Sequence, residues 1–143
     1  MEGKPALPLM WLAPVSPTIN PMNDTGNIIR LLIADDNAAT RAATIALLEA
    51  GTHRAAIWEA ANGEEAVQLA ASVQPDVILM DVQMPKLDGI QATRRIKQRW
   101  PAIKIVVMTM YATYRAAALA AGADLFLLKG GSVDGLITAV FSS

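Results

Sequence analysis

The segment PDVILMDVQMPKLDG, residues 75–89, runs from a helix breaker through an apolar strand to a carboxylate and two turns. Pro75 ends a helical pattern, and Val77, Ile78, Leu79 and Met80 follow without a polar interruption. An unbroken apolar run between breakers describes a strand buried on both faces, the usual state in a parallel sheet covered by helices. Asp81 stands at the C-terminal end of that run, and Met84-Pro85 and Asp88-Gly89 turn the chain into the next helix. Open α/β sheets place their chemistry at the C-terminal ends of their strands. A turn-forming aspartate would look the same in isolation, so the flanking sequence has to decide between the two readings.

Strands and helices alternate on either side of this segment. An apolar strand over 28–34 ends in Asp35-Asp36, and Asn37 caps a helix that passes Leu48 and stops at Gly51. A short second strand is expected over 55–58, and Asn62-Gly63-Glu64-Glu65 opens a second helix that ends before Pro75. After the strand over 76–80 come a helix over 90–99, stopped by Pro101, and a fourth strand over 103–108 that ends at Thr109. An Ala-rich helix over 112–121 closes at Gly122, a fifth strand over 124–128 ends at Lys129, and a last helix covers 133–141. Five such alternations call for right-handed crossovers and a parallel sheet with helices on both faces.

The chain has 143 residues, 53% of them hydrophobic, which is enough for one core and makes one domain the expectation. A net charge of −1 argues against a nucleic-acid surface as the main business of the chain. The absence of cysteine excludes a disulfide framework, a thiolate metal site and a cysteine nucleophile, and is compatible with a cytoplasmic location. No apolar run approaches the ~20 residues of a membrane span. Residues 1–27 differ from the rest: Pro5, Pro8, Pro14, Pro17 and Pro21 interrupt an apolar patch that includes Leu7, Leu9, Met10, Trp11 and Leu12. The prolines and the lack of an A-x-A cleavage pattern argue against a signal peptide. A disordered or loosely attached arm is expected there, with a docking segment anchored by Trp11 as the alternative and Met22 as a more ordinary start. The expected division is an arm over 1–27 and a folded domain over 28–143.

In a doubly wound sheet of strand order 2-1-3-4-5, the first and third strands are neighbours at the switch point. Asp35, Asp36, Asp81, Thr109 and Lys129 then converge on one crevice. Three carboxylates about 4 Å apart in an effective dielectric of ~20 repel by roughly 4 kcal/mol per pair, more than one lysine offsets. The arrangement calls for a divalent cation, and with only oxygen donors Mg²⁺ is the natural occupant. Carboxylate, metal, cation and hydroxyl are the parts for in-line phosphoryl transfer to Asp81, with Lys129 and Mg²⁺ neutralising the transferred group. Taken singly, Asp35-Asp36 could be helix N-terminal charge, Thr109 a strand-end cap and Lys129 a surface lysine. Their joint position at the ends of four strands argues against coincidence.

The stretches LLIADDN, ILMDVQMPKLDG, VVMT and GADLFLLKG resemble the receiver domain of two-component response regulators, most closely those of LuxR/NarL-type transcription factors. The resemblance covers residues 28–141 and implies a flavodoxin-like fold with the strand order given above. It also implies that Asp81 is the phosphoacceptor, that Asp36 binds Mg²⁺ directly and Asp35 through water, and that the Gln83 backbone carbonyl supplies another ligand. Lys129 would pair with the phosphoryl group, and Thr109 and Phe126 would form a switch pair. The phosphoryl donor would be a histidine kinase, a phosphotransfer protein or a small acyl phosphate. The domain would catalyse only its own phosphorylation and dephosphorylation. Because Phe126 lacks a hydroxyl to hold outside, partial population of an active-like state is expected without phosphate. The rearranged face, formed by the fourth helix, fifth strand and fifth helix, is a candidate homodimer surface.

Two departures from the family pattern stand out. The segment from Thr109 to Gly122 is slightly shorter than in that family, and nothing after Phe141 resembles a linker or a helix-turn-helix. Direct DNA binding by this chain is therefore not expected, and a receiver fragment of a transcription factor is one alternative. An Mg²⁺-dependent aspartyl-phosphate phosphatase is another, but it would want a second acid two positions after its nucleophilic aspartate, which Asp35-Asp36-Asn37 lacks. A degenerate receiver that only binds partners conflicts with the intact acids, Thr109 and Lys129. His53, the single histidine, is expected to be a loop residue. Arg94, Arg95, Lys97 and Arg99 are expected on a solvated helix face, and Gly130-Gly131 as a turn.

Overall fold

The computed structural model describes residues 28–142, and the readings made above for residues 1–27 lie outside the described residues. Five strands alternate with helices: β1 Ile29–Ala34, α1 Ala38–Glu49, β2 Ala55–Ala60, α2 Gly63–Val73, β3 Val77–Met80, α3 Gly89–Arg99 and β4 Lys104–Thr109. A single 3₁₀ turn, Ala112–Tyr114, then leads to α4 Arg115–Ala120, β5 Leu125–Leu128 and α5 Val133–Phe141. The strands form one parallel sheet in the order β2-β1-β3-β4-β5, the order expected from the sequence. None of the described helices is long and apolar enough to cross a membrane.

Side chains alternate across a strand, so each strand feeds two cores. Leu32, Trp58, Ile78, Met80, Ile105 and Val107 point to one face, where Ala66 and Ala70 of α2, Ala92 and Ile96 of α3 and Ala118 of α4 cover them. Leu31, Ile33, Ile57, Leu79 and Val106 point to the other, against Leu48 of α1 and Leu136, Ala139 and Val140 of α5. Burying one large aliphatic side chain is worth about 1.5–3 kcal/mol. The central strands β1, β3 and β4 therefore carry most of the driving force, and their ends are held rigidly where the polar residues begin.

Helix starts follow their capping residues. The Asn37, Asn62, Asp88 and Ser132 side chains accept from the backbone N–H groups of Thr40, Glu65, Gln91 and Gly135 at 2.8–2.9 Å. Glu65 reaches back to accept from Ala61 N at 2.8 Å, so α2 is held at its start from both directions.

Three expectations need correction. Strand β2 continues to Ala60 rather than ending at Trp58, because it pairs with β1 as far as Ala34↔Ala60 and Glu59 faces outward. The helix expected over 112–121 is broken into the 3₁₀ turn and the six-residue α4, neither of which has a side-chain N-cap. Ala118 is the only residue that α4 buries, so little apolar surface holds the segment to regular geometry. Lys97 is not part of a solvated face: its ammonium donates to Pro101 O, Ile103 O and Asp124 Oδ2 at 2.8–3.0 Å. It ties the end of α3 to the starts of β4 and β5. Arg94, Arg95 and Arg99 are exposed, and His53 lies in the loop before β2, stacked on Phe141 at 4.3 Å.

A Cβ on Gly63 would lie 2.0 Å from the Leu87 carbonyl oxygen. Alanine is favoured over glycine inside a helix by about 1 kcal/mol, yet here the clash dominates. Gly63→Ala is expected to lower stability by roughly 1–3 kcal/mol in denaturant melts. A stabilised variant would mean that the loop carrying Leu87 yields freely.

Candidate functional site

The site is built by strand register. Ala34 of β1 stands opposite Met80 of β3, and Met80 opposite Val107 of β4. The ladder extends one step further: Asp81 N donates to Ala34 O at 2.9 Å and Asp35 N to Ala60 O at 3.0 Å. Asp35 and Asp81 thus leave the sheet side by side, and carboxylate oxygens of Asp35, Asp36 and Asp81 lie within 4.8 Å of one another. At the end of β5, Lys129 N donates to Thr109 O at 2.8 Å. Its ammonium reaches Asp35 Oδ2 at 2.8 Å and Asp81 Oδ2 at 3.3 Å.

Burial differs sharply among these groups. Asp35 and Asp81 are 5% and 8% exposed, whereas Asp36 faces solvent. Burial raises the Asp81 carboxyl, and although Lys129 opposes this, the neighbouring Asp35 adds to it, leaving Asp81 above its ordinary 3.8. Burial lowers the Lys129 ammonium, but its hydrogen bond to Asp35 and the charges of Asp81 and Asp35 outweigh that and leave it above 10.5. Asp81 also accepts from Val82 N at 2.8 Å through Oδ1. An all-oxygen donor set carrying more negative charge than its one lysine balances is suited to a hard divalent cation.

Thr109 is 1% exposed, and its hydroxyl accepts from Tyr111 N at 3.4 Å. Phe126 sits opposite Val107, half-buried against the cluster on that face. Gln83 and Asp36 line a cleft of about 470 Å³ together with Pro85, Asp88 and Tyr114, and the Gln83 amide donates to the Tyr114 hydroxyl at 3.3 Å. Three further residues shape the site, and two of them, Arg41 and Glu59, were not singled out from sequence. Arg41 donates to the Asp35 backbone carbonyl and, at 2.8 Å, to Glu59 Oε1. A Cβ on Gly89 would lie 1.8 Å from the Asp81 carbonyl oxygen, so only glycine fits where α3 begins. The Asp88-Gly89 turn signal was visible in the sequence. The Arg41–Glu59 pair, 18 residues apart on different elements, carries no spacing signal.

Residues 31–141 match the family described as the response regulator receiver domain. The chain belongs to that family. It is 37% identical over 116 residues to the transcriptional regulatory protein DegU of Brevibacillus brevis, covering 80% of this chain and 49% of DegU. It is 35% identical to the response regulator protein VraR of Staphylococcus aureus, covering 78% of this chain and 54% of VraR. The chain thus spans about half the length of these curated relatives. Among solved structures, a LuxR-family two-component response regulator from Aurantimonas sp. SI85-9A1 superposes with a TM-score of 0.73 at 31% identity, covering 78% of this chain and 81% of that one. A CheY-like receiver domain protein from Methanospirillum hungatei gives 0.70 at 25% identity, over 78% and 89%. The receiver is accordingly of the LuxR/NarL type, and receivers are in general signalling modules rather than enzymes acting on separate substrates.

The two shifted groups predict opposite effects on stability. A carboxyl raised by folding favours the fold below 3.8 and loses that contribution as pH climbs through its folded value. Asp81→Asn is therefore expected to melt several degrees above the parent at pH 7, with the gain shrinking as pH falls towards 3.8. The raised Lys129 contributes fully below 10.5 and loses its contribution as pH rises through its folded value. Lys129→Met should melt below the parent at neutral pH, the gap closing in strong alkali. Calorimetric melts across pH check both; a destabilised Asp81→Asn at pH 7 would contradict the assigned burial penalty.

Proposed function

We propose that this receiver is a phosphorylation-operated switch in which Asp81 is the sole phosphoacceptor. The observation that carries this reading is the meeting of Asp81 with Asp35, Asp36 and Lys129 at the strand ends of a receiver-family chain. The Asp81 carboxylate attacks the phosphorus in line. A P–O bond forms to Asp81 as the bond to the donor breaks, leaving an acyl phosphate on the side chain. Lys129, whose ammonium lies 3.3 Å from Asp81 Oδ2, neutralises charge on the transferred oxygens. Asp36, Asp81 and the Gln83 carbonyl, with Asp35 through water, would hold Mg²⁺, which supplies further neutralisation of those oxygens when bound. Hydrolysis by water at the same centre returns Asp81 to its carboxylate, so the only chemistry is on the chain itself.

Receiver domains interact with histidine kinases, and a histidine kinase or phosphotransfer protein is the proposed donor here, with small acyl phosphates as substitutes. The receiver is assigned to residues 28–143, with residues 1–27 as an arm, and a cytoplasmic location belongs to the same proposal. The match covers about half of each relative named as a transcriptional regulator, and a role in transcription regulation would act through a further module. The chain itself is not expected to bind DNA.

Readout is assigned to Thr109 and Phe126. A hydrogen bond from the Thr109 hydroxyl to the charged phosphoryl group is worth about 1.5–3 kcal/mol. That is enough to shift a two-state loop by roughly ten- to 150-fold. The half-buried position of Phe126 supports a partly active-like ground state. Met110, Tyr111, Leu119, Leu125 and Leu128 are exposed on and around β5 and α4, and they support this face as a homodimer surface.

Acetyl phosphate with Mg²⁺ should add one phosphoryl group to the parent by intact-mass analysis and none to Asp81→Asn; undiminished labelling of the variant would remove the assignment. Asp36→Ala should keep the acceptor but lose measurable Mg²⁺ binding in titration calorimetry. In sedimentation, beryllofluoride should promote self-association of the parent and much less of Thr109→Ala. Identical behaviour in all samples would exclude this face as the switch.

A further inference from the structure

Asp35 and Asp36 are held in opposite ways. All three acceptor oxygens of Asp35 are engaged: Oδ1 by Asn37 N at 2.9 Å, Oδ2 by the Lys129 ammonium at 2.8 Å, and the backbone carbonyl by the Arg41 guanidinium. Asp36 faces solvent, and its carboxylate has no hydrogen-bond partner among the described residues. Its direction is therefore set by its backbone, and the Asp35 carbonyl belongs to the peptide plane from which Asp36 springs. Arg41 grips that plane from the first turn of α1 and is itself fixed by Glu59 of β2 at 2.8 Å, with only 15% of its side chain exposed. A planar guanidinium can donate to both partners in one fixed orientation, which a lysine ammonium on a flexible stem cannot reproduce.

We propose that Arg41 is a positioning residue for the metal ligand Asp36, holding the Asp35–Asp36 peptide so that the unpartnered carboxylate faces the acidic cluster. The inference rests on the Mg²⁺ reading given above and adds to it a residue on the far side of the peptide. Its sign is diagnostic. A cation near three carboxylates opposes cation binding through its charge alone, so removing Arg41 would tighten Mg²⁺ if charge were its whole contribution. Positioning has the opposite consequence.

The test is Mg²⁺ titration calorimetry on the full chain, its Asp36→Ala variant, Arg41→Lys and Arg41→Met, with thermal melts in EDTA to establish folding. Both Arg41 variants are expected to bind Mg²⁺ roughly tenfold more weakly than the parent, the lower end of what loss of an outer-shell partner costs. Arg41→Lys keeps the charge, so its loss of affinity separates geometry from electrostatics. Should Arg41→Met not fold, Arg41→Lys alone decides. Tighter binding by Arg41→Met with Arg41→Lys unchanged would overturn positioning in favour of charge. Lower melting temperatures with unchanged affinity in both would reduce Arg41 to a structural pair with Glu59. If the parent binds Mg²⁺ and Asp36→Ala does not, either of those results removes only the role of Arg41. A parent chain that binds no Mg²⁺ removes the metal reading and this inference together.

Discussion

The parallel register of β1 against β3 is the constraint on which the site depends. With Ala34 opposite Met80, the next residue of each strand is an aspartate, and both leave the ladder on the same line. A slip of one residue would turn both side-chain sets to the opposite face of the sheet. It would bury Asp81 in the cluster now filled by Met80, or pull Leu32 and Ile78 out of their packing against α2 and α3. The fold resists such a slip because both strands are buried on both faces, so the apolar core and the acidic site enforce the same register. Repulsion among the carboxylates works against the fold at this point. It is tolerated because it falls at the strand ends, where Lys129 reaches two of the acids and Asp36 remains in water.

A second constraint acts from the other side of Asp81. The chain after β3 folds back on itself, with Leu87 N donating to Pro85 O at 2.7 Å and Gly89 N to Val82 O at 2.8 Å. Lys86 takes φ of 70° within this turn, an uncommon conformation for a residue with a side chain. Two helices begin against this loop, and both begin with glycine. Gly63 of α2 lies under the Leu87 carbonyl, and Gly89 of α3 lies under the Asp81 carbonyl. A side chain at either place would push the loop outward, and with it the Gln83 carbonyl proposed as a metal ligand. The MPKLDG turn is thus a packed part of the site.

Apolar runs and strand-end polar residues were legible because each is a local pattern. A strand buried on both faces has to be continuously apolar, and an acid at its tip has few other reasons to be there. The order of the strands and the convergence of Asp35, Asp36, Asp81 and Lys129 could be reasoned from alternation alone. What escaped the sequence reading are contacts between elements. Lys97 looked like one of four similar cations, yet it alone reaches three acceptors, because it lies over the chain as it turns into β4. Arg41 and Glu59 meet only once α1 has packed across β2. The helix expected over 112–121 failed for a different reason. Alanine has high helix propensity, but propensity without a cap and with Ala118 as its only buried residue does not sustain three turns.

That failure bears on how a signal could leave the site. Thr109 and Lys129 are fixed to each other through the backbone bond from Lys129 N to Thr109 O, where the edge strand β5 pairs with the buried strand β4. Neither backbone is free to move far without unzipping β4 from β5. The Thr109 side chain can still turn, and its present backbone contact, from Tyr111 N at 3.4 Å, is long for a hydrogen bond. The segment that follows has an uncapped 3₁₀ turn, a helix of six residues, and exposed Met110 and Tyr111. Low local stability is a general property of elements that rearrange. Tyr114 also carries the contact to Gln83 across the cleft that includes Asp36. On the proposed reading of Thr109 as the switch, a change in how the acidic cluster is occupied would meet least resistance along the path from Thr109 into the 3₁₀ turn, while the sheet that holds the carboxylates in register stays as it is.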